Sequence, residues 1–370
     1  MRQVGISIYP DYCSMDELKD YITRAKKSHM TRAFTSLQLG DFGFNGGLEA
    51  TDPVFKQFFS LCNESGITVC GDVTNVIFEA YGATPDNLKP FLDLGLMMIR
   101  IDGGYTSEDI VTMTNNPYGI KIEMNGSFDQ GKDSAVYPLL EGVKQRGNME
   151  NFVACFNYFP RVGTGHSKEY VKENIELLKE YGVTITAFVA SQYSVHSMQP
   201  MGHGIPTLEH HRYLPAHLAA QELFALGVDT VLVGDIMAAD VELERLGALI
   251  TKDYLEIPVV YNEYVSDELI YKLENTVLTM RGDRSIECIR SMEVKGFQEE
   301  PLYCVPRSKY SVTIDNTLAK RYTGEIQIMM QDCDRDQTVN VIGAILEGHN
   351  LLEYVLYECF PYKLIPMQRK

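Results

Sequence analysis

Acidic side chains recur in this sequence where apolar runs finish. The stretch GIKIEMNGS (119–127) has the Ile120, Ile122 and Met124 of a strand covered on both faces, yet it carries Glu123 and Asn125 toward its C-terminal end. Asp72 stands near the end of ITVCGDV (67–73), Arg100 and Asp102 at the end of MMIRID (97–102), and Asp235 at the end of DTVLVGD (229–235). Tyr9, Ser36 and Asn157 close or nearly close three further runs. Any one of these acids could cap a helix or pair with Arg100. Several converging on one place can divide acid and base work. One carboxyl then protonates a leaving oxygen while another attacks or activates water, the arrangement that cleaves glycosidic bonds.

Two further stretches carry chemistry. In NYFPRVGTGHS (157–167), Gly163 and Gly165 free the backbone, Thr164 and Ser167 offer hydroxyls, and Ser167 is placed to cap a following helix. With Arg161 this predicts a cradle for phosphate or carboxylate. The segment SQYSVHSMQPMGHGIPTLEHHRYLP (191–215) holds His196, His203, His210 and His211, with His217 just beyond, so five of the eight histidines lie here. The residue types suit zinc or manganese, but the spacing is irregular and contains no H-x-H or H-x-x-x-H pair on a definite element. A substrate lid is the preferred reading, delivering Glu209 and Arg212 to the site. On such a lid Glu209 is the expected general acid, shielded so that its pKa rises, with Glu123 or Asp102 as the partner carboxylate. Asp235 is expected to act on a sugar or to accept from its hydroxyls. No metal or cofactor is expected. A lysine Schiff base is disfavoured, because Lys121, the lysine inside a strand-like run, lies before the strand's end. The rival readings are a metal-dependent phosphosugar aldolase or isomerase and a non-catalytic sugar-phosphate receptor.

The elements that must position these residues alternate. The first run, QVGISIY (3–9), is followed by the capping box S-M-D-E (14–17) and a helix with Leu18, Tyr21, Ile22 and Ala25 on one face. Runs at 31–37, 67–73, 97–102, 119–125, 151–159, 183–190 and 229–235 follow. Helical patterns lie between them, opened at Asp52-Pro53, over about 85–94, 107–114 and 134–146, from Ser167 to Gly182, and over about 214–226 and 240–251. Eight strand–helix units predict a (β/α)8 TIM barrel over 1–257, whose site lies at the C-terminal ends of the strands. From Pro258 the pattern turns to short strands and turns with one helical piece, NLLEYVLYE, which predicts a small β-rich domain over 258–370.

Net charge is −17, from 33 basic and 50 acidic residues. That field repels a nucleic-acid backbone, while a local Arg and backbone amides can still hold a small anion. No run approaches the roughly 18 apolar residues of a membrane helix. MRQVGISIYPDYC enters a strand without a signal-peptide core, and the eight scattered cysteines contain no C-x-x-C pair. A cytoplasmic protein with reduced thiols is expected, without nucleic-acid or membrane partners, its oligomeric state left open with a homodimer as one option.

The motifs VGISIYP, FTSL, GD at 71–72, IRIDGG, IEMNGS, NYFPRVGTGHS, GIPTLEHHR and LVGD together resemble the bacterial DUF871 or "outer surface protein" family, associated with 6-phospho-N-acetylmuramidase activity. The resemblance covers essentially the whole chain. It implies a TIM barrel followed by a cyclophilin-like β domain, in a cytoplasmic enzyme of cell-wall recycling. The implied substrate is the phosphosugar disaccharide N-acetylmuramic acid 6-phosphate–N-acetylglucosamine.

Overall fold

Ser14 opens the first helix as the local sequence requires: its side chain accepts from the Glu17 amide while the Glu17 carboxylate accepts from Ser14, a complete capping box. The computed structural model describes residues 2–37, 48–129, 131, 134–194 and 203–367. The Gly-rich stretch after the second strand and His196 lie outside them. The chain divides into two compact units, Met1–Thr251 and Lys252–Lys370.

In the first unit, strands β1 (Gln3–Ser7), β2 (Arg32–Ser36), β3 (Thr68–Val73), β4 (Met98–Ile101), β5 (Lys121–Asn125), β6 (Phe152–Cys155), β7 (Thr184–Val189) and β8 (Thr230–Ile236) pair in sequence order, and β8 returns to β1 to close a parallel barrel. Closure demands close backbone approach: a Cβ on Gly5 would lie 2.2 Å from the Arg32 carbonyl oxygen, so only glycine fits there. Helices α1 (Met15–Lys27), α2 (Pro53–Glu64), α3 (Asn75–Tyr81), α4 (Lys89–Leu94), α5 (Ser107–Thr114), α6 (Val136–Arg146), α7 (Lys168–Glu180), α8 (Ala216–Leu226) and α9 (Asp240–Ala248) connect them. The helix expected over about 85–94 is α4, begun at Lys89 with Pro90 in its first turn, while α3, stopped by left-handed Gly82, is an additional helix between β3 and β4.

Contacts between non-adjacent strands show what fills the barrel. Phe34 on β2 meets Phe188 on β7 edge-on at 5.4 Å and Tyr158 at 5.8 Å. Such pairs contribute about 0.5–1.5 kcal/mol each beyond burial. Polar groups also cross the interior: Arg32 Nη2 lies 3.5 Å from Glu123 Oε2, and the Cys70 thiol donates to Glu123 Oε1 at 3.4 Å.

The second unit is a six-stranded sheet in the order β10-β12-β11-β13-β9-β14, built from β9 (Leu255–Tyr261), β10 (Cys288–Ser291), β11 (Ser311–Asp315), β12 (Ile326–Met329), β13 (Val339–Ala344) and β14 (Tyr362–Pro366). Helix α11 (Leu352–Glu358) matches the expected helical piece, but α10 (Asp267–Glu274) is additional. Its signals are local: Ser266 caps the Leu269 amide, and Asp267 and Glu268 occupy the first turn. Among the described residues, no helix is long and apolar enough to cross a membrane.

Candidate active site

Three strand ends meet at the Arg100 side chain, which is buried. Its Nη2 donates to Asn157 Oδ1, its Nη1 donates to the Cys155 carbonyl at 3.3 Å, and its Nε lies 4.0 Å from Asp72 Oδ1. Asp72 is on β3, Arg100 on β4, and Asn157 two residues beyond β6. The Asp102 amide donates to the Val73 carbonyl at 3.3 Å, so the parallel ladder runs one residue past β4 and sets exposed Asp102 beside the end of β3. Tyr9 and Tyr158 join through their hydroxyls at 3.2 Å. Burial pushes Tyr158 up to about 12, so it remains a neutral donor at physiological pH. Asn125 Oδ1 accepts from the Ser127 amide at 2.8 Å and shapes the turn after β5.

Glu123 departs from expectation. It sits in the middle of β5, 1 % exposed, facing Arg32 and Cys70 inside the barrel rather than the open end. Residues two apart on a strand face one side, so this carboxylate stands one layer below its expected position.

The lid acid is also different. Glu209 Oε1 accepts from the Gly163 amide and Oε2 from the Gly165 amide, each at 2.8 Å, while Arg212 Nε and Nη2 donate to the two oxygens at 2.8 and 2.6 Å. The Arg212 guanidinium and the two amides hold Glu209 down to about 2, the reverse of a shielded general acid. The glycine cradle therefore holds the chain's own carboxylate. A Cβ on Gly165 would come within 2.7 Å of Glu209 Oε2, which makes that glycine part of the clasp. Arg212, expected at the mouth, is 1 % exposed and also donates to the carbonyls of Phe159, Arg161 and Gly204. Thr164 donates to the Arg161 carbonyl at 2.6 Å, and Ser167 caps α7 by accepting from the Tyr170 amide. Arg161 itself is exposed, and among the described residues its guanidinium has no partner.

Asp235 is buried and accepts from the Ser191 and Ile205 amides through Oδ2 at 2.8 and 3.2 Å, tying both ends of the 191–205 segment to β8. Burial pushes it up to about 6 despite those two bonds. A raised carboxyl stabilises the fold fully below the unfolded pKa and loses that contribution as pH rises through the folded one. Stability is expected to fall by on the order of 3 kcal/mol between about pH 4 and 7 from this group, roughly two pKa units at 1.36 kcal/mol each. Urea denaturation across that range should show the fall in the wild type relative to Asp235→Asn. A difference between the two proteins that does not vary with pH would contradict it.

His210 and His211 both place Nε2 at 2.7 Å from Glu222 Oε2, and the three ligand atoms lie within 4.8 Å of one another. The donor set suits a divalent cation. Here both imidazoles are committed to the carboxylate, whose other oxygen lies 4.0 Å from Lys168 Nζ. Burial works against ionisation of Glu222, but the two histidines hold its pKa well below the usual range. His203 is exposed and His217 lies on α8.

Sequence reasoning missed three participants. Tyr158 follows Asn157 directly and was readable as a polar aromatic at a strand end. Ser127, at 2.7 Å from His166 Nε2, and Glu242, which accepts from Ser191 Oγ and the Gln192 amide, carry no local signal.

The family model described as 6-phospho-N-acetylmuramidase, N-terminal, matches residues 4–248, and that described as 6-phospho-N-acetylmuramidase, C-terminal, matches residues 255–362. Among solved structures, an uncharacterized B. cereus protein is similar, at 28% identity over 99% of each chain with a TM-score of 0.85. A conserved Enterococcus faecalis protein of unknown function is similar at 25% identity over 98% of this chain and 96% of the other, with a TM-score of 0.74. No curated protein sequence matches the chain.

Proposed function

The chain belongs to the 6-phospho-N-acetylmuramidase family and is a glycosidase for a substrate of the N-acetylmuramic acid 6-phosphate–N-acetylglucosamine type, and from that premise we propose how its barrel mouth is used. The match over 4–248 and 255–362 carries the reaction class. Asp72 and Asp102 are the working carboxyls. Of the other candidate acids, Glu123 faces the interior, while Glu209 on the segment after β7 and Asp235 on β8 each serve two backbone amides. Asp72, beside Arg100, suits the charged partner that attacks or activates water, and Asp102 at the open end suits the proton donor.

The phosphate is assigned to Arg161. Its carbonyl is fixed by Thr164 and Arg212 while its guanidinium projects outward, so the position is rigid and the charge available. Family resemblance further supports a cyclophilin-like identity for the second unit. All eight cysteines are free of disulfide partners in the structure, an arrangement that suits a cytoplasmic setting.

The test is product analysis by mass spectrometry with the disaccharide presented with and without its 6-phosphate. Cleavage of the phosphorylated form into N-acetylmuramic acid 6-phosphate and N-acetylglucosamine is expected. Arg161→Ala should raise KM for it by about 10–100-fold, the range of one charged hydrogen bond, with little change in kcat. Equal cleavage of both forms by the wild type would remove the phosphate assignment.

A further inference from the structure

Asn157 is held at the mouth through both its backbone and its side chain, and one of its groups is left to the solvent. Its backbone is pinned on both sides: the amide donates to Ser127 Oγ at 3.4 Å, and the carbonyl accepts from Thr207 Oγ1 at 3.0 Å. Thr207 is itself fixed, accepting from the Phe188 amide of β7 at 3.0 Å. The side-chain amide has one orientation, because a guanidinium only donates and Arg100 therefore selects Oδ1. Nδ2 is then turned away from Arg100. Among the described residues it meets no acceptor, and it is not among the buried polar atoms lacking a partner.

We infer that Asn157 is a specificity-determining positioning residue whose Nδ2 donates to the carbonyl oxygen of the substrate's 2-acetamido group, an inference that rests on the glycosidase reading of this mouth. The charges around it select a neutral acceptor. Beside Asn157 the Arg100 guanidinium stands against Asp72, and Asp102 adds a second carboxylate at the open end, so no surplus cation next to Asn157 draws an anion to it. Sugar hydroxyls are served by carboxylates such as Asp72, which only accept, whereas Nδ2 only donates. An amide carbonyl is the strong neutral acceptor that an N-acetylated sugar has and a plain sugar lacks. A donor held this firmly gives discrimination, because a substrate without the acceptor leaves it unpaired.

The experiment compares two phosphorylated disaccharides: the acetamido compound, and the same compound with a hydroxyl in place of the acetamido group of the phosphorylated sugar. Asn157→Asp keeps an oxygen for Arg100 and replaces the donor with a second acceptor. Wild-type kcat/KM is expected to favour the acetamido substrate by about 100-fold. Asn157→Asp should lose about 100-fold on that substrate and no more than about 3-fold on the hydroxyl analogue. Asn157→Ala, which drops both atoms, should likewise lose its preference between the two. Equal losses on both substrates would mark a structural role and overturn the assignment, as would an unchanged preference. Wild-type protein that turns over neither compound would instead overturn the glycosidase reading beneath it.

Discussion

Asp102→Asn is expected to lower kcat/KM on the phosphorylated disaccharide by about 10³-fold, within the range that positioned acid–base groups contribute. The side chain is exposed at the end of the β4 ladder, so the melting temperature should stay within a few degrees of the wild type. The proton-donor role makes a sharper prediction. A nitrophenolate leaves without being protonated, so on a 6-phosphorylated nitrophenyl glycoside the same variant should lose only about 10-fold. Equal losses on the two leaving groups would take the donor role away from Asp102. Asp72→Asn should be as slow on both, because its task does not depend on the leaving group. It should also be less stable, since it removes the carboxylate 4.0 Å from buried Arg100.

Glu209→Ala should destabilise the barrel by about 3–5 kcal/mol, the usual result of stripping the partner from a buried charge. Arg212 would be left 1 % exposed without its carboxylate, and the Gly163 and Gly165 amides would lose their acceptor. For a unit of this size the melting temperature should fall by roughly 10 °C. The pH dependence has the opposite sign to that of Asp235. Glu209 is depressed from 4.5 to about 2, so its contribution is present above 4.5 and lost as pH falls through 2. Thermal melts at pH 7 and pH 3, wild type against Glu209→Ala, check both statements. A variant that melts like the wild type while losing 10³-fold in kcat would return Glu209 to catalysis and remove the clasp.

The clasp shows where reading from sequence stops. Gly163, Gly165, Glu209 and Arg212 were all visible as an anion cradle and a charged lid, and each component was chemically apt. What the linear order withheld was that the cradle and the lid acid bind each other, tying the loop after β6 to the segment after β7. Glu123 shows a second limit. Its strand was legible from Ile120, Ile122 and Met124, but its depth in the barrel depends on which residues lie opposite, and Arg32 and Cys70 come from other strands. Helix α10 is different, because Ser266 and the acids after it were local signals, outweighed by the β-branched and aromatic residues around them.

The sequence by itself determined the closed barrel, the β-rich second unit, the family, and the strand ends on which the polar residues gather. The barrel, the second unit and the strand ends follow from periodicity, caps and turn residues, which act within a few positions of the chain, and the family from the resemblance its motifs carry. Only the tertiary structure decided which acids hold the scaffold together and which face the open end. Those assignments rest on distances of about 3–4 Å between strands far apart in sequence, and on the burial that makes a carboxylate there a clasp, an interior ion pair or a reactive group.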